Sequence, residues 1–303
     1  MQNLIFAAYA DNIQDKCGSS TDMYLQNACC CLLSAKYHNP EDQVSLITNC
    51  EIPTSYRDLL TASGVEIWVK PFDSFLVDDK DAKWVLAFYK LCALKYVADK
   101  LCYDKVLLLD TDVVTIGSYR ELWNEAEEYL LLHQVVHSFD NANETIMRCE
   151  LKQILNLEGC IHWGGEFVCG KTETLKEVLC IAEQLFAKMI ETNVYTTRGD
   201  EFIWTAALKT FRVKSAVAYI DRCWTGKGYY FTSTHMYYPG LSALHLPDEK
   251  RRGMLRLYRL LAKERQPNND QIFKMMRMPG RTCAFTCYNI LDLFCRIKRK
   301  LTN

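Results

Sequence analysis

Short unbroken apolar runs alternate with longer stretches whose apolar residues recur every three to four positions. Residues 4–8 form the first run, and residues 21–37 follow with Tyr24, Leu25, Ala28, Cys31, Leu32 and Ala35 at helical spacing. Residues 44–48 form a second run. Pro53 then opens a helix that reaches Leu60, and Gly64 ends it before a third run at 65–69. A long helix is predicted over 83–100, with Trp84, Phe88, Leu91 and Cys92 on one side. It leads through Tyr103 to Val106-Leu107-Leu108-Leu109. That run is continuous rather than alternating, as in a strand covered on both faces of a sheet. Strands and helices alternating in this way predict an α/β fold on a mostly parallel, doubly wound sheet, with the fourth strand deep inside it.

Beyond that strand the pattern predicts a helix over 119–132, and then a weakly periodic insertion over 133–160 of the kind that shapes an acceptor pocket. A strand bracketed by Gly164, Gly165 and Gly170 comes next. Helices over 172–190 and from Arg198-Gly199-Asp200-Glu201 follow, then strands at 217–220 and 241–246, the last with His245 in its apolar frame.

Composition changes this picture little. At 303 residues, 49% hydrophobic and 24% charged, the chain suits one large core. No run approaches the ~18 apolar residues of a membrane span. Met1-Gln2-Asn3 lacks the basic start of a secretory signal, so a cytoplasmic protein with reduced thiols is expected. The 15 cysteines include no C-x-x-C pair, and Cys283, Cys287 and Cys295 fit no common zinc spacing. Charge changes it more. Residues 250–303 hold 14 Lys or Arg against 3 Asp or Glu, a net of +11, and the rest of the chain carries −12. This separates a body, residues 1–249, from a basic tail, residues 250–303, that implies an anionic partner.

The candidate chemistry sits at Asp110-Thr111-Asp112, where the fourth strand ends. The crevice beyond the carboxyl ends of parallel strands is where such folds bind ligands. Two carboxylates there suit a hard divalent cation holding a phosphate, although Asp is also an ordinary turn residue. A third ligand must come from elsewhere: His245 is the best placed, with His235 as its rival. An imidazole beside carboxylates shifts preference from Mg2+ toward Mn2+. Lys250, Arg251 and Arg252 follow, either closing over a diphosphate or simply opening the basic tail.

The run Lys90-Leu91, Lys95-Tyr96-Val97-Ala98-Asp99 and Tyr103-Asp104-Lys105-Val106-Leu107-Leu108-Leu109-Asp110-Thr111-Asp112-Val113 resembles the helix, strand and D-x-D of the family 8 glycosyltransferases, among them glycogenin and galactinol synthase. The resemblance covers most of residues 1–250. It implies a GT-A fold, a nucleotide-sugar donor, Mn2+ with Mg2+ possible, and retention of anomeric configuration. It implies Asp110, Asp112 and His245 as metal ligands and Lys90 facing the sugar nucleotide. Ala7, Ala8 and Tyr9 fall where uracil and ribose bind, and Asp200 falls on the family's D-Q pair near the donor sugar. Glu201 replaces the usual Gln, and Trp163-Gly164-Gly165 stands in place of Asn-Ser-Gly or Asn-Ala-Gly. After His245 the family's glycine-and-lysine motif becomes Pro247-Asp248-Glu249-Lys250-Arg251-Arg252, leaving the diphosphate role open between Lys250 and Arg251. Asp200 and Glu201 are the carboxylates to consider as nucleophiles. A strand ending in D-x-D also marks haloacid dehalogenase phosphohydrolases, but there it opens the domain. A sugar-nucleotide fold without catalysis is the other alternative.

In the tail, Met254, Leu255, Leu257, Tyr258, Leu260 and Leu261 lie among Arg256, Arg259 and Lys263, and later segments repeat this mixture. Such amphipathic pieces suit an anionic membrane surface. The expectation is a peripheral enzyme acting on a glycan or glycolipid, with no nucleic-acid partner.

Overall fold

The computed structural model describes residues 2–11, 19–77, 84–135, 141–225 and 240–278. Ten strands are found among them: β1 (Asn3–Tyr9), β2 (Gln43–Thr48), β3 (Glu66–Val69), β4 (Lys105–Leu109), β5 (Val113–Thr115), β6 (Leu130–Gln134), β7 (Trp163–Lys171), β8 (Val213–Ser215), β9 (Ile220–Arg222) and β10 (Ala243–His245). Seven of them form the main sheet in the order β3-β2-β1-β4-β7-β6-β8, which puts β4 in the middle. Strands β3, β2, β1 and β4 run parallel, β7 runs antiparallel to both its neighbours, and β8 lies parallel to β6. A second sheet has the order β5-β10-β9.

The continuous apolar runs have the expected cause. Ile5, Ala7, Leu107 and Leu109 enter one core cluster, while Leu4, Phe6, Val106 and Leu108 enter another on the opposite face. The first cluster takes helices α1 (Ser19–His38) and α2 (Thr54–Ala62); the second takes α3 (Tyr89–Lys100). Cys29, Cys30 and Cys31 are buried side by side in α1 and behave as small hydrophobes. Burial pushes the Cys29 thiol up to about 12.

Several sequence expectations are corrected. The helix predicted over 83–100 begins as a 3-10 turn (Val85–Phe88), and Trp84, expected on the buried side, is 65% exposed with φ 60. Residues 119–132 are a short helix, α4 (Arg120–Glu125), followed by β6, because Leu130, Leu131 and Leu132 make another strand covered on both faces. The insertion contains a helix, α5 (Asn141–Glu150), and a π-helical turn (Leu151–Leu155) that bury Met147, Leu151, Ile154 and Leu155. Helix α6 (Thr172–Thr192) is as expected, as is α7 (Asp200–Ala207). Edge strand β8 went unrecognised, and the strand predicted at 217–220 begins only at Ile220.

The described part of the tail forms α8 (Gly253–Leu261) and α9 (Asn269–Met275). Met254, Leu257, Leu261, Ile272 and Phe273 enter the core, with α8 packed on α1, while Leu255, Tyr258 and Leu260 stay partly exposed. The rest of the tail, residues 279–303, lies outside the described residues, as do Cys283, Cys287, Cys295 and His235.

Candidate active site

Strands β1 and β4 end at the same edge of the sheet. Ala7 pairs with Leu109, so Ala8 and Tyr9 continue beside Asp110 and Thr111. Beyond Leu109 the chain turns, the Asp110 amide donating to the Glu166 carbonyl (2.9 Å) and the Val113 amide to the Asp110 carbonyl (3.1 Å). The turn leads into β5, whose pairing with β10 sets His245 opposite Val113. The Leu246 amide then donates to the Asp112 carbonyl at 3.0 Å. One ligand atom from each of Asp110, Asp112 and His245 thereby lies within 4.8 Å of the others. Two carboxylates and an imidazole on one point form a donor set that fits Mn2+ or Mg2+.

Asp112 is buried, with Oδ2 3.3 Å from His245 Nε2 and 3.1 Å from Lys250 Nζ. Burial works against its charge, but His245 and Lys250 hold its carboxyl well below the usual carboxylate range. Burial would likewise lower His245, yet Asp112 and Glu166 raise it to about 9. A 3-10 turn (Pro247–Glu249) sets the register after His245. Lys250 is the residue it delivers to Asp112, whereas Arg251 is exposed.

On the other side of the D-x-D, Lys90 in the first turn of α3 reaches Asp110 Oδ1 (2.8 Å), Asp200 Oδ2 (2.8 Å) and the Gly165 carbonyl (3.1 Å). Asp200 opens α7 and is delivered by Gly199, whose φ of 59 favours glycine. Burial raises the Asp200 carboxyl to about 7 against the pull of Lys90, with Asp110 adding to the rise. A Cβ on Gly165 would stand 2.0 Å from Asp200 Oδ2, so this glycine leaves room for the Lys90–Asp200 pair. Gly164 does the same for a second pair, its Cβ position lying 2.7 Å from Arg222 Nη2.

Sequence reasoning missed that second pair and its surroundings. Glu166, 1% exposed in the middle of β7, accepts from Arg222 Nε at 2.6 Å and Nη2 at 2.8 Å. Its Oε1 also lies 2.9 Å from His133 Nδ1 and 3.5 Å from His245 Nδ1. Arg222 and His133 outweigh burial and hold Glu166 well below the usual range. Glu166 thus faces the nitrogen of His245 that points away from Asp112, the place of the carboxylate that orients a metal-binding histidine. Asp221 Oδ1 stands 3.4 Å from the other nitrogen of His133. Glu201 hangs from the same network: Oε1 accepts from Arg222 Nη2 and Oε2 lies 3.0 Å from His162 Nε2. Despite burial, Arg222 first and His162 next lower its carboxyl to about 2. The missed signal was an ionisable residue inside an otherwise apolar strand, as in Leu130-Leu131-Leu132-His133, Glu166-Phe167-Val168 and Ile220-Asp221-Arg222.

No protein-family model matches the chain, and no curated protein matches it. Among solved structures, the galactosyltransferase LgtC in complex with donor and acceptor sugar analogs aligns over 91% of this chain and 100% of its own, with a TM-score of 0.56 and 15% identity. An LgtC active-site mutant with glutamine replaced by glutamate aligns over the same shares with a TM-score of 0.55 and 15% identity. At that identity the likeness is one of fold. The chain has the GT-A architecture, an α/β fold with a mostly parallel central sheet flanked by helices.

Proposed function

We propose that the protein is a metal-dependent glycosyltransferase that moves a hexose from a nucleotide diphosphate sugar, UDP-linked, to a hydroxyl of a glycan or glycolipid, with retention of configuration. The observation that carries this is the convergence of Asp110, Asp112 and His245 at the carboxyl edge of β4, with Lys250 beside them, in a fold shared with a galactosyltransferase. A bound Mn2+ or Mg2+ supplies Lewis acidity toward the diphosphate as it leaves. Lys250 adds a fixed positive charge on the same side, and Ala7, Ala8, Tyr9 and Thr111 line the edge where base and ribose would lie. Lys90 holds Asp110 and Asp200 apart as counter-ions and keeps the floor of the sugar pocket in place.

Neither candidate nucleophile is free. Both Glu201 oxygens are engaged by Arg222 and His162, and Asp200 is turned toward Lys90. This favours attack by the acceptor hydroxyl from the face the diphosphate leaves. Glu201 then serves as a fixed anion beside the sugar carbon, where positive charge develops. Among the described residues no helix is long and apolar enough to cross a membrane. A cytoplasmic location with attachment to an anionic membrane surface stays a proposal, resting on the basic residues Arg296, Lys298, Arg299 and Lys300.

The test is release of nucleoside diphosphate from a panel of nucleotide sugars, with and without Mn2+. Metal-dependent turnover of at least one donor is expected. Phosphate release from simple phosphoesters with no donor turnover would remove the proposal in favour of a phosphohydrolase, and binding of donors without turnover would favour a non-catalytic fold.

His245 makes a separate prediction about metal uptake. With its pKa raised to about 9, it holds a proton at neutral pH that a metal must displace. Mn2+ affinity should therefore rise about tenfold per pH unit between about pH 6 and 8, with close to one proton released per metal bound. Titration calorimetry in two buffers of different ionisation enthalpy measures both. An affinity independent of pH would mean that His245 carries no proton for the metal to displace in this range or is not a ligand.

A further inference from the structure

Glu249 immediately precedes Lys250 and is wholly buried, at 0% exposure. Its carboxylate collects donors from three parts of the chain. Thr225 Oγ1 and Arg277, through both Nε (2.8 Å) and Nη2, donate to Oε1, and the Gly253 amide donates to Oε2 at 3.1 Å. Arg277 comes from the far end of the described tail, just beyond α9, and takes the left-handed φ of 56. Met276 beside it is wholly buried and packs on Gly253 so closely that a Cβ there would stand 2.5 Å from its sulfur. The turn that carries Lys250 is therefore gripped at Glu249 by the C-terminal segment.

We propose that Arg277 is a positioning residue for the diphosphate site. Through Glu249 it fixes the turn from which Lys250 reaches Asp112, so the last described helices belong to the donor-binding machinery. A lysine stem is flexible, and the placement of its backbone decides how well the ammonium is held at an anion. Two guanidinium N–H groups converging on one oxygen of a buried carboxylate supply that placement. An ion pair that only stapled the tail would need no adjacency to Lys250. Here the carboxylate and the ammonium are consecutive residues, and the two ends of the resulting chain of contacts are Arg277 and Asp112.

This inference rests on the proposed reading of the site, and the two fail differently. The probes are Mn2+ alone and inorganic diphosphate in saturating Mn2+, titrated into the full-length protein and into Arg277→Lys, Arg277→Met, Lys250→Met and the Lys250→Met/Arg277→Met double variant. Arg277→Met should lose about tenfold in diphosphate affinity, the scale of a charged contact, while Mn2+ affinity stays within about twofold because its ligands are untouched. Arg277→Lys should fall between, and it carries the test if the Met variant does not fold. The double variant should lose no more than Lys250→Met alone, since both act through one ammonium. Additive losses, unchanged diphosphate affinity in the Arg277 variants, or equal losses of Mn2+ and diphosphate would each overturn the proposal. A wild-type protein that takes up Mn2+ but no diphosphate would remove the functional reading, and this inference with it.

Discussion

Asp112→Asn is expected to fold and to lose Mn2+-dependent donor cleavage by roughly a thousandfold or more, the several kcal/mol that a Lewis acid contributes. The substitution keeps the shape of the side chain and removes one charge from a buried position where His245 and Lys250 converge. Its effect on the neighbours is as diagnostic as the loss of turnover. Asp112 is the largest favourable influence on the His245 imidazolium, so in the variant His245 should titrate lower, which NMR of the ring can follow. The sign for stability follows from linkage. Asp112 is held below its ordinary value, so it contributes stability above about pH 4 that is lost on acidification. The variant should lack that contribution, and its unfolding free energy should depend less on pH in the acid range. Substantial metal-dependent turnover in Asp112→Asn would take the metal away from the D-x-D.

Lys90→Met should be the most destabilising single substitution at the site. Lys90 is buried between Asp110 and Asp200, and removing it leaves two carboxylates facing one another across the Gly165 carbonyl. Breaking a buried pair of this kind costs roughly 3–5 kcal/mol. Asp200 offers an escape, because burial already raises its carboxyl to about 7 and the loss of Lys90 can only push it higher. A carboxyl whose folded-state pKa is raised binds its proton more tightly folded than unfolded, so its contribution is greatest in acid and is lost as pH rises. The deficit relative to wild type should therefore be larger near pH 8 than near pH 5. Denaturant unfolding at the two pH values measures it. Equal deficits would show that Asp200 is not the group absorbing the change.

Much of the candidate site around the D-x-D was legible because its signals are local. The run Val106-Leu107-Leu108-Leu109 announces a strand covered on both faces, and the carboxylates at its end need no distant information to be placed at the sheet edge. His245 could be nominated because an imidazole in an apolar frame is uncommon, but its meeting with Asp112 depends on β5 pairing with β10 across some 130 residues. That Lys250 rather than Arg251 reaches Asp112 depends on a 3-10 turn that has no periodicity to read. The direction of β7 was likewise hidden. An antiparallel strand buried on both faces reads like a parallel one, and its antiparallel course is what presents Glu166 beneath His245. The packing of α8 on α1 was not legible for a physical reason: a helix with one apolar face has the same pattern whether that face meets a lipid surface or another helix.

The clamp at Glu249 also bears on when the site can exist during synthesis. Asp110 and Asp112 leave the ribosome early, His245 and Lys250 follow more than 130 residues later, and Arg277 comes later still. A nascent chain that has made the central sheet therefore holds two acidic ligands without their imidazole, and a chain halted before Arg277 leaves Glu249 without its guanidinium. On the proposed reading, donor binding therefore awaits translation past Arg277, and a metal that binds only the folded site would add its binding free energy to that stage of assembly.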